Sequence, residues 1–473
     1  MVASEATPYA TTGGLADVVG SLPREIAALG HQVAVLIPRY GRARQAPSEL
    51  ALESLPIRLG SQVCSVAIHR AIGTSVPYFF LDYPPFYDRD HLYGNAKGDY
   101  PDNHLRFALL SRAAFEVARY LFVTDIFHCH DWQAGLVPVY LHTSMSGDPT
   151  FMGCRTLTTI HNLEYRGLFK PAVLPEIGLP PTLFHHDQLE FYGDISYLKG
   201  GLVYSDALST VSPTYAKEIQ TPVHGAGLDG LLRARSAVLY GILNGADYTR
   251  WNPATDPHIA THYSEADLSG KRDCKRALLK EFSLPEKAMT RPLLGVVSRF
   301  TGQKGCDLIE EIAAELFADD LYLVALGSGE PAYEEAFRKL ESAYPDRFGL
   351  CIGYDDGLAH RIEAGSDSFL MPSRYEPCGL NQIYSLRYGT PPVVRATGGL
   401  EDTIDETTGF KFRELSSAPF LKVTREACVA WADRDGWSAR MKAGMAKDYS
   451  WKRSAQQYSD LFNHLVRNPL STD

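Results

Sequence analysis

Short apolar runs alternate with amphipathic stretches along most of the chain, and glycine-containing turns separate them. Residues 32–38 form a continuous apolar run typical of a strand that is buried on both faces. Residues 126–130 and 156–160 are interpreted as further strands, and each leads into a polar segment. Strands that alternate with helices in this way predict an α/β fold with parallel sheets.

The same alternation resumes after a break, which predicts two domains. Residues 251–267 are rich in Pro and Asp and lack any period, so we expect an interdomain linker near residues 240–265. A second series of strand-like runs follows, at residues 292–300, 321–329, 350–354, 368–372 and 392–397. We therefore predict domains at residues 1–240 and 241–450, with a closing helix over 451–466.

Three amino-terminal segments are predicted as loops. Residues 6–22 form the first, with a helix following through residues 24–29. Gly13 and Gly14 within it would let the backbone approach a phosphate or sugar closely, although their spacing is not GxGxxG and a Gly-Gly pair also makes plain turns. Residues 86–103, rich in Tyr, Asp and Gly, are expected at the surface, and so are the Pro-rich residues 170–181.

Composition and charge narrow the class of protein. The chain has 473 residues, 45% hydrophobic and 22% charged, with a formal net charge of -10. The net negative charge argues against a surface that binds nucleic acid or an anionic membrane. The eight cysteines form no CxxC pair, so neither a zinc site nor a disulfide framework is expected. We find no bilayer-spanning apolar run and no signal segment, and we expect a cytoplasmic protein.

Two turns in the second half carry candidate chemistry. Residues 373–382 (SRYEPCGLNQ) lie between a predicted strand and a predicted helix, where ligands dock in open α/β sheets. The N–H groups of this turn suit a phosphate, and Glu376 could accept hydrogen bonds from sugar hydroxyls; the alternative is an ordinary helix entry, which also favours acids. Arg299 and Lys304 flank the other turn and are either a diphosphate site that needs no metal or two surface cations.

Histidines end two predicted strands in the first half. His128 and His130 share one face of a strand that Asp131 follows, but no third ligand for a metal is apparent. His161 follows the next strand, and is either a structural imidazole or a functional group at the ligand-binding edge.

Several motifs occur together and in order along the chain. They are residues 12–18 (TGGLADV), 130–133 (HDWQ), 161–163 (HNL), 227–232 (GLDGLL), 242–245 (ILNG), 298–299 (SR) with 303–305 (QKG), 374–380 (RYEPCGL) and 397–400 (TGGL). By these motifs, which span nearly the whole chain, it resembles bacterial glycogen synthases and plant starch synthases, the ADP-glucose-using retaining glucosyltransferases.

The resemblance implies a fold and a reaction. The fold is GT-B, with two Rossmann-like domains that face across a deep cleft and a final segment, residues 451–473, that crosses back to the first domain. The reaction is transfer of glucose from ADP-glucose to the non-reducing end of an α-1,4-glucan with retention, by double displacement or by a front-face route. Neither a cofactor nor a metal is expected. The expected partners are ADP-glucose, ADP and glycogen or maltooligosaccharide, with no nucleic acid and no membrane. The oligomeric state is left open.

The resemblance also assigns residues. Arg299 and Lys304 would hold the diphosphate, Glu376 and the turn after it would hold donor glucose and phosphate, and Tyr354 would lie against the adenine. The predicted catalytic residues are Arg299, Lys304, Glu376 and His161. The predicted substrate-binding residues are Thr11, Gly13, Gly14, Asp17, Asp131, Asn162, Asn244, Tyr354, Cys378, Gly379, Leu380 and Thr397.

Departures from the family pattern keep rival functions open. The family normally has a donor-contacting Lys where this chain has Thr11, and a short hydroxyl cannot replace a cation that reaches a phosphate. We therefore expect weaker donor binding, altered donor preference or inactivity. Smaller departures are Gly302, Glu164 and Arg166, and a first strand a few residues shorter than usual. The rivals are a UDP-glucose-using GT-B transferase and a weakly active or non-catalytic glucan-binding relative.

Overall fold

The computed structural model describes residues 1–95 and 97–467, and within them the chain forms two compact units. The first unit is Met1–Gly245 together with the segment that begins at Trp451, and the second is Ala246–Ser450. Residue 96, inside the predicted loop 86–103, and residues 468–473, inside the predicted segment 451–473, lie outside the described residues.

The first unit combines a mixed sheet with helices. Its strands are Val35–Pro38, Ser48–Leu59, Gln62–Ala71, Tyr78–Asp82, Gly94–Asn95, Gly98–Asp99, Ile126–His130, Arg155–Ile160, Leu168–Phe169, Glu190–Phe191, Asp194–Ser196, Ala207–Thr210 and Leu239–Gly241. Its α-helices are Gly14–Ala28, Gly41–Gln45, Pro84–Tyr87, Asn103–Tyr120, Leu136–His142, Tyr197–Tyr204, Pro213–Glu218, Asp229–Ala234 and Trp451–Arg467.

Val2 joins the two halves of the main sheet. Its N–H donates to the carbonyl of His128 at 2.8 Å, and it also bridges to Leu36. The resulting order is Ser48–Leu59, Gln62–Ala71, Tyr78–Asp82, Val35–Pro38, Val2, Ile126–His130, Arg155–Ile160, Ala207–Thr210 and Leu239–Gly241. From Tyr78–Asp82 onward neighbouring strands run parallel. Their carboxyl ends therefore share one edge, and the residues that follow them are brought to that edge.

The first helix begins earlier than the sequence predicts. It spans Gly14–Ala28 and contains Pro23, so the predicted loop over residues 14–22 was wrong. A proline inside a helix has no N–H for the carbonyl four residues earlier, which here belongs to Val19. The buried Tyr78 hydroxyl donates to that carbonyl at 2.9 Å, so a tertiary hydrogen bond replaces the missing helical one.

Two predicted surface loops are anchored by buried side chains. Phe86 and Tyr87 are buried on a short helix at the start of the predicted loop over residues 86–103. Leu174 and Ile177 are buried within the Pro-rich segment. In both segments a few apolar residues are buried although they follow no helical or strand period. Composition alone therefore does not reveal that these segments are anchored.

The final helix packs back on the first unit, as the resemblance implies. Tyr458, Leu461 and Phe462 share a buried cluster with Val18 and Leu22 of the first helix. This packing is hydrophobic, and it explains why a segment so far along the chain belongs to the amino-terminal unit.

The second unit is a parallel α/β sandwich. Its strands are Leu293–Val297, Tyr322–Gly327, Phe348–Ile352, Ser368–Met371, Pro392–Arg395 and Phe410–Phe412. Its α-helices are Ser269–Glu281, Cys306–Ala318, Pro331–Ala343, Asp356–Gly365, Asn381–Arg387, Gly398–Thr403, Ser417–Ala432 and Arg434–Met445. The sheet order is Phe348–Ile352, Tyr322–Gly327, Leu293–Val297, Ser368–Met371, Pro392–Arg395 and Phe410–Phe412, all parallel. Apolar clusters cover both faces of this sheet.

Residues 246–265, predicted as linker, instead pack into the second unit. The buried ring of Trp251 is stacked between His360 and Tyr384, with centroid distances of 3.7 and 3.9 Å. Ile259 and Tyr263 are buried in the same cluster. The linker prediction was therefore wrong for this stretch, because its few apolar residues are buried without helical or strand spacing.

Candidate functional site

A mostly buried ion pair joins two turns at the carboxyl edge of the second sheet. Lys304 Nζ donates to Glu376 Oε2 at 2.6 Å, and the Ser373 hydroxyl donates to the same oxygen at 2.9 Å. The side chains of Lys304 and Glu376 are 19% and 6% exposed. Because little water reaches the pair, its charges are weakly screened and act strongly on any ligand beside them.

Arg374 fixes the turn that carries Lys304. Its guanidinium donates to both carboxylate oxygens of Asp307 at 2.6 and 2.7 Å, and to the Gly302 carbonyl at 2.7 Å. Its backbone N–H donates to the Gln303 carbonyl at 2.8 Å. The segment that carries Glu376 thus also holds Lys304 in place, a role of Arg374 and Asp307 that the sequence did not indicate.

Arg299 supplies a second positive charge beside this turn. It is exposed, and its Nη2 donates to the Gln303 amide oxygen at 3.2 Å. Across residues 1–95 and 97–467 its guanidinium has no carboxylate partner. The cation is therefore available to an anionic ligand.

The second Gly-Gly turn packs against the turn that carries Glu376. Gly398 has a φ of +44°, and a Cβ built on it would lie 1.9 Å from the Glu376 carbonyl oxygen. A Cβ on Gly399 would lie 2.0 Å from the Cys378 carbonyl oxygen. These two glycines are required by close backbone contact inside the second unit, because any side chain there would collide with the turn that carries Glu376.

The remaining predicted residues of the second unit follow three strands of the same parallel sheet. Tyr354 comes after Phe348–Ile352 and is 86% exposed, with its hydroxyl 3.5 Å from Asp356 Oδ1. Thr397 and Cys378 are buried, and Gly379 and Leu380 continue the same turn at intermediate exposure. Because the strands are parallel, all these residues lie along one edge of the sheet.

In the first unit, Asp131 and His161 are joined at the corresponding edge. The His161 backbone N–H donates to Asp131 Oδ1 at 2.7 Å, and Asp131 adopts a φ of +54°. Burial raises the pKa of Asp131 to about 7, against backbone N–H bonds from His161 and Asn162. Burial also lowers the pKa of His161 to about 3, so its imidazole is neutral at physiological pH.

Asp131→Asn is expected to stabilise the first unit by about 2–4 kcal/mol at pH 9 and by almost nothing at pH 4. The folded-state pKa of Asp131 is raised from 3.8 to about 7, so wild type loses stability as pH rises through that window. Asparagine mimics the protonated carboxyl, keeps an oxygen for the His161 N–H and tolerates a positive φ. Denaturant unfolding at both pH values measures the gain, with the exposed Asp187→Asn as control; an equal gain at pH 4 would contradict the assignment.

Glu5 anchors the loop before the first helix. It is buried and accepts hydrogen bonds from the Thr12 N–H at 2.5 Å, the Thr12 hydroxyl at 2.6 Å and the Tyr93 hydroxyl. No atom lies within 4 Å of a Cβ built on Gly13 or Gly14, which are exposed. The unit does not itself require these glycines, so they leave open space for a close ligand. No motif in the sequence assigned a role to Glu5, although an acid directly after the predicted first strand was a signal.

The other predicted residues of the first unit are placed as follows. Thr11 Oγ1 lies 3.2 Å from Thr7 Oγ1, and the Thr7 hydroxyl donates to Asp17 Oδ1 at 3.3 Å. Asn162 Oδ1 accepts the Glu164 N–H at 3.1 Å. Asn244 is buried after the strand Leu239–Gly241, and its Oδ1 has no hydrogen-bond partner among the described residues. A buried amide oxygen without a partner is an acceptor suited to a ligand.

His128 and His130 share one face, as predicted, but do not converge on one point. Their rings lie side by side at a tilt of 33° with centroids 4.1 Å apart, and His128 Nε2 lies 2.6 Å from the Thr159 hydroxyl. Within the described chain, no group of possible metal ligands includes them or Asp131.

None of the helices over residues 1–95 and 97–467 has both the length and the apolarity that a bilayer crossing demands.

Comparison with known proteins relates the whole chain to one family. The model described as "Starch synthase catalytic domain" matches residues 1–234, and "Glycosyl transferases group 1" matches residues 280–417. A glycogen synthase of Koribacter versatilis is 48% identical over 479 residues, covering 99% of this chain and 98% of that protein. A glycogen synthase of Anaeromyxobacter sp. is 50% identical over 478 residues, covering 98% of each.

Solved structures agree with this relationship. The catalytic domain of Starch Synthase IV from Arabidopsis thaliana, bound to ADP and acarbose, matches with a TM-score of 0.90 and 32% identity over 98% of each chain. A sucrose-phosphate synthase from Thermosynechococcus elongatus matches with a TM-score of 0.60 and 17% identity over 99% of this chain and 96% of that one, a likeness of fold alone.

Proposed function

The chain belongs to the glycogen and starch synthase family, and from that premise we propose that it transfers glucose from ADP-glucose to the non-reducing end of an α-1,4-glucan with retained configuration. Its fold is of the GT-B class, with two Rossmann-like units. The observation that carries the proposal is the Lys304–Glu376 pair at the carboxyl edge of the second sheet, with the exposed Arg299 beside it.

Lys304 and Arg299 act on the leaving group. Cleavage of the bond between glucose and phosphate builds negative charge on ADP, and fixed cations stabilise that charge as it develops. Lys304 is held by Glu376, and its turn is held by Arg374, so the cation needs little reorganisation during the reaction. We propose that these side chains supply the charge that a metal ion provides in other sites, and that EDTA leaves the rate unchanged.

Glu376 binds the donor sugar as a hydrogen-bond acceptor. One of its oxygens already accepts hydrogen bonds from Lys304 and Ser373, which occupy lone pairs that an attack on carbon would need. A carboxylate held in this way is better suited to accept hydrogen bonds from sugar hydroxyls than to attack carbon as a nucleophile. We therefore favour the front-face route over double displacement. Adenine would lie against Tyr354, whose aromatic side chain is 86% exposed at this edge of the sheet.

The transfer assay tests the function directly. Radiolabelled glucose is followed from ADP-glucose or UDP-glucose into glycogen, in the presence of EDTA. Incorporation from ADP-glucose that exceeds incorporation from UDP-glucose supports the proposal. Preference for UDP-glucose would favour the rival transferase, and glycogen binding without ADP release would favour a non-catalytic relative. No disulfide joins any of the eight cysteines in the part of the chain that the structure describes, and we propose a reducing, cytoplasmic location.

Thr11→Lys is expected to lower the KM for ADP-glucose by about tenfold, the effect of one added charge-assisted contact to phosphate. Thr11 is exposed at the loop that Glu5 anchors, so a longer side chain enters solvent and not the core. Steady-state kinetics at varied ADP-glucose measure the change. Thr11→Met adds length without charge and serves as the control; an equal fall in KM in both variants would show that charge is not responsible.

A further inference from the structure

Three imidazoles form a short column at the edge of the first sheet. The rings of His128 and His130 are tilted by 33° with centroids 4.1 Å apart, and the His130 and His161 centroids are 5.2 Å apart. His130 Nδ1 lies 2.9 Å from His161 Nε2, a hydrogen-bond distance. His130 is fully buried, and its Nε2 has no hydrogen-bond partner in the described part of the chain.

Only one arrangement of the ring protons gives every buried N–H group a hydrogen-bond partner. Burial lowers the pKa of both His130 and His161, so both rings are neutral and each carries a single ring proton. If His161 donated from Nε2, the proton of His130 would lie on its partnerless Nε2. If His130 donates from Nδ1, its Nε2 is a bare lone pair, which is tolerated more readily than an orphaned N–H.

His128 follows the same rule. Its Nε2 lies 2.6 Å from the Thr159 hydroxyl, whereas its buried Nδ1 has no partner among the described residues. The proton therefore lies on Nε2, which donates to the Thr159 hydroxyl. That hydroxyl can in turn donate a hydrogen bond to the Ser209 hydroxyl 2.6 Å away. The hydrogen bond of His128 is thus directed away from His161, toward the interior of the sheet.

We propose that His130 is a positioning residue that fixes His161 in the Nδ1–H tautomer, so that His161 presents a directed hydrogen-bond donor to bound sugar. His161 is partly exposed, and its Nδ1 has no partner in the part of the chain that the structure describes. The Asp131 carboxylate accepts the backbone N–H of the same residue, which fixes the backbone that carries the ring.

The consequence is that His161 acts as a neutral donor and not as a base. Its only accessible ring nitrogen carries the proton, so it can donate to an oxygen of a sugar hydroxyl but cannot accept that hydroxyl's proton. The identity of the acceptor as a sugar rests on the proposed function. The tautomer itself does not, because it follows from the buried contacts alone.

Nitrogen NMR of the full chain with ¹⁵N-labelled histidine tests the tautomer without any substrate. Protonated and bare ring nitrogens of neutral imidazole resonate far apart, and the signal missing from His161→Asn assigns His161. We expect His161 with a protonated Nδ1 and a bare Nε2. His130→Asn keeps an amide donor near the position of Nδ1 and is expected to keep that pattern, whereas His130→Leu removes the donor and is expected to lose it. His128→Leu, which removes an equally buried neighbour, is the matched control and is expected to keep the pattern.

Kinetics then separate positioning from folding. In the transfer assay we expect His130→Leu to lower kcat/KM by about tenfold, the value of one hydrogen bond to substrate, and His130→Asn and His128→Leu by about threefold at most. A wild-type spectrum with the His161 proton on Nε2, or a His161 pattern unchanged in folded His130→Leu, would overturn the proposal. If His130→Leu fails to fold, the wild-type spectrum decides alone. A wild type without transfer activity would overturn the proposed function while leaving the spectrum to decide the tautomer.

Discussion

Lys304→Met is expected to lower kcat for glucose transfer by about 10²–10³-fold, the effect of removing one preorganised stabilising group from a water-poor site. The variant removes the cation beside the leaving diphosphate and leaves the Glu376 carboxylate buried without its ammonium partner. The second effect is expected to cost the second unit roughly 3 kcal/mol of stability, the lower end for a broken buried pair because Lys304 is partly exposed. Steady-state kinetics and denaturant unfolding measure the two effects separately.

The same unit offers a matched control for Lys304→Met. Lys275 Nζ pairs with Asp367 at 2.6 Å, and both side chains are mostly buried. Asp367 directly precedes the strand Ser368–Met371, so this pair lies at the amino edge of the sheet, away from the candidate site. Lys275→Met is expected to lose comparable stability with kcat within about threefold of wild type, since no group at the carboxyl edge changes. Equal losses of kcat in the two variants would show that the rate follows stability and not the charge at residue 304.

Gly398→Ala is expected to lower kcat by about 10²-fold, because a misplacement near 1 Å at the reacting groups has an effect of that size. The added Cβ would lie 1.9 Å from the Glu376 carbonyl oxygen, so the turn that carries Glu376 must shift. The φ of +44° adds strain for any residue with a side chain, and together we expect a stability loss of about 2–4 kcal/mol. Kinetics with saturating ADP-glucose, compared with thermal unfolding, measure both effects.

Gly73→Ala separates backbone strain from displacement of Glu376. Gly73 also has a positive φ, +79°, but no atom lies within 4 Å of a Cβ built on it. We expect a loss of about 1 kcal/mol with an unchanged kcat. If Gly398→Ala kept wild-type kcat, the contact between Gly398 and Glu376 would not position the donor sugar.

The sequence by itself determined the fold class, the family and much of the candidate site. Buried strands and amphipathic helices differ in their hydrophobic period, so their alternation predicts two parallel sheets. Parallel strands place their following residues at one edge, which is why Arg299, Lys304 and Glu376 could be proposed together from order along the chain. The structure brings Lys304 and Glu376 into contact, and it places Arg299 on the same turn.

Only the tertiary structure decided which groups hold the site in place. Glu5 meets Tyr93 across 88 residues, Lys304 meets Glu376 across 72, and His130 meets His161 across 31. The helix through Pro23 depends on a hydroxyl from Tyr78, and residues 246–265 are ordered by Trp251 and its stacking partners. Local periodicity reports which face of a segment is buried, but it does not specify the distant atom that satisfies a carbonyl, a carboxylate or an imidazole. Those partners are fixed only when the chain has folded, because hydrogen bonds and close backbone contacts depend on distances of a few ångströms.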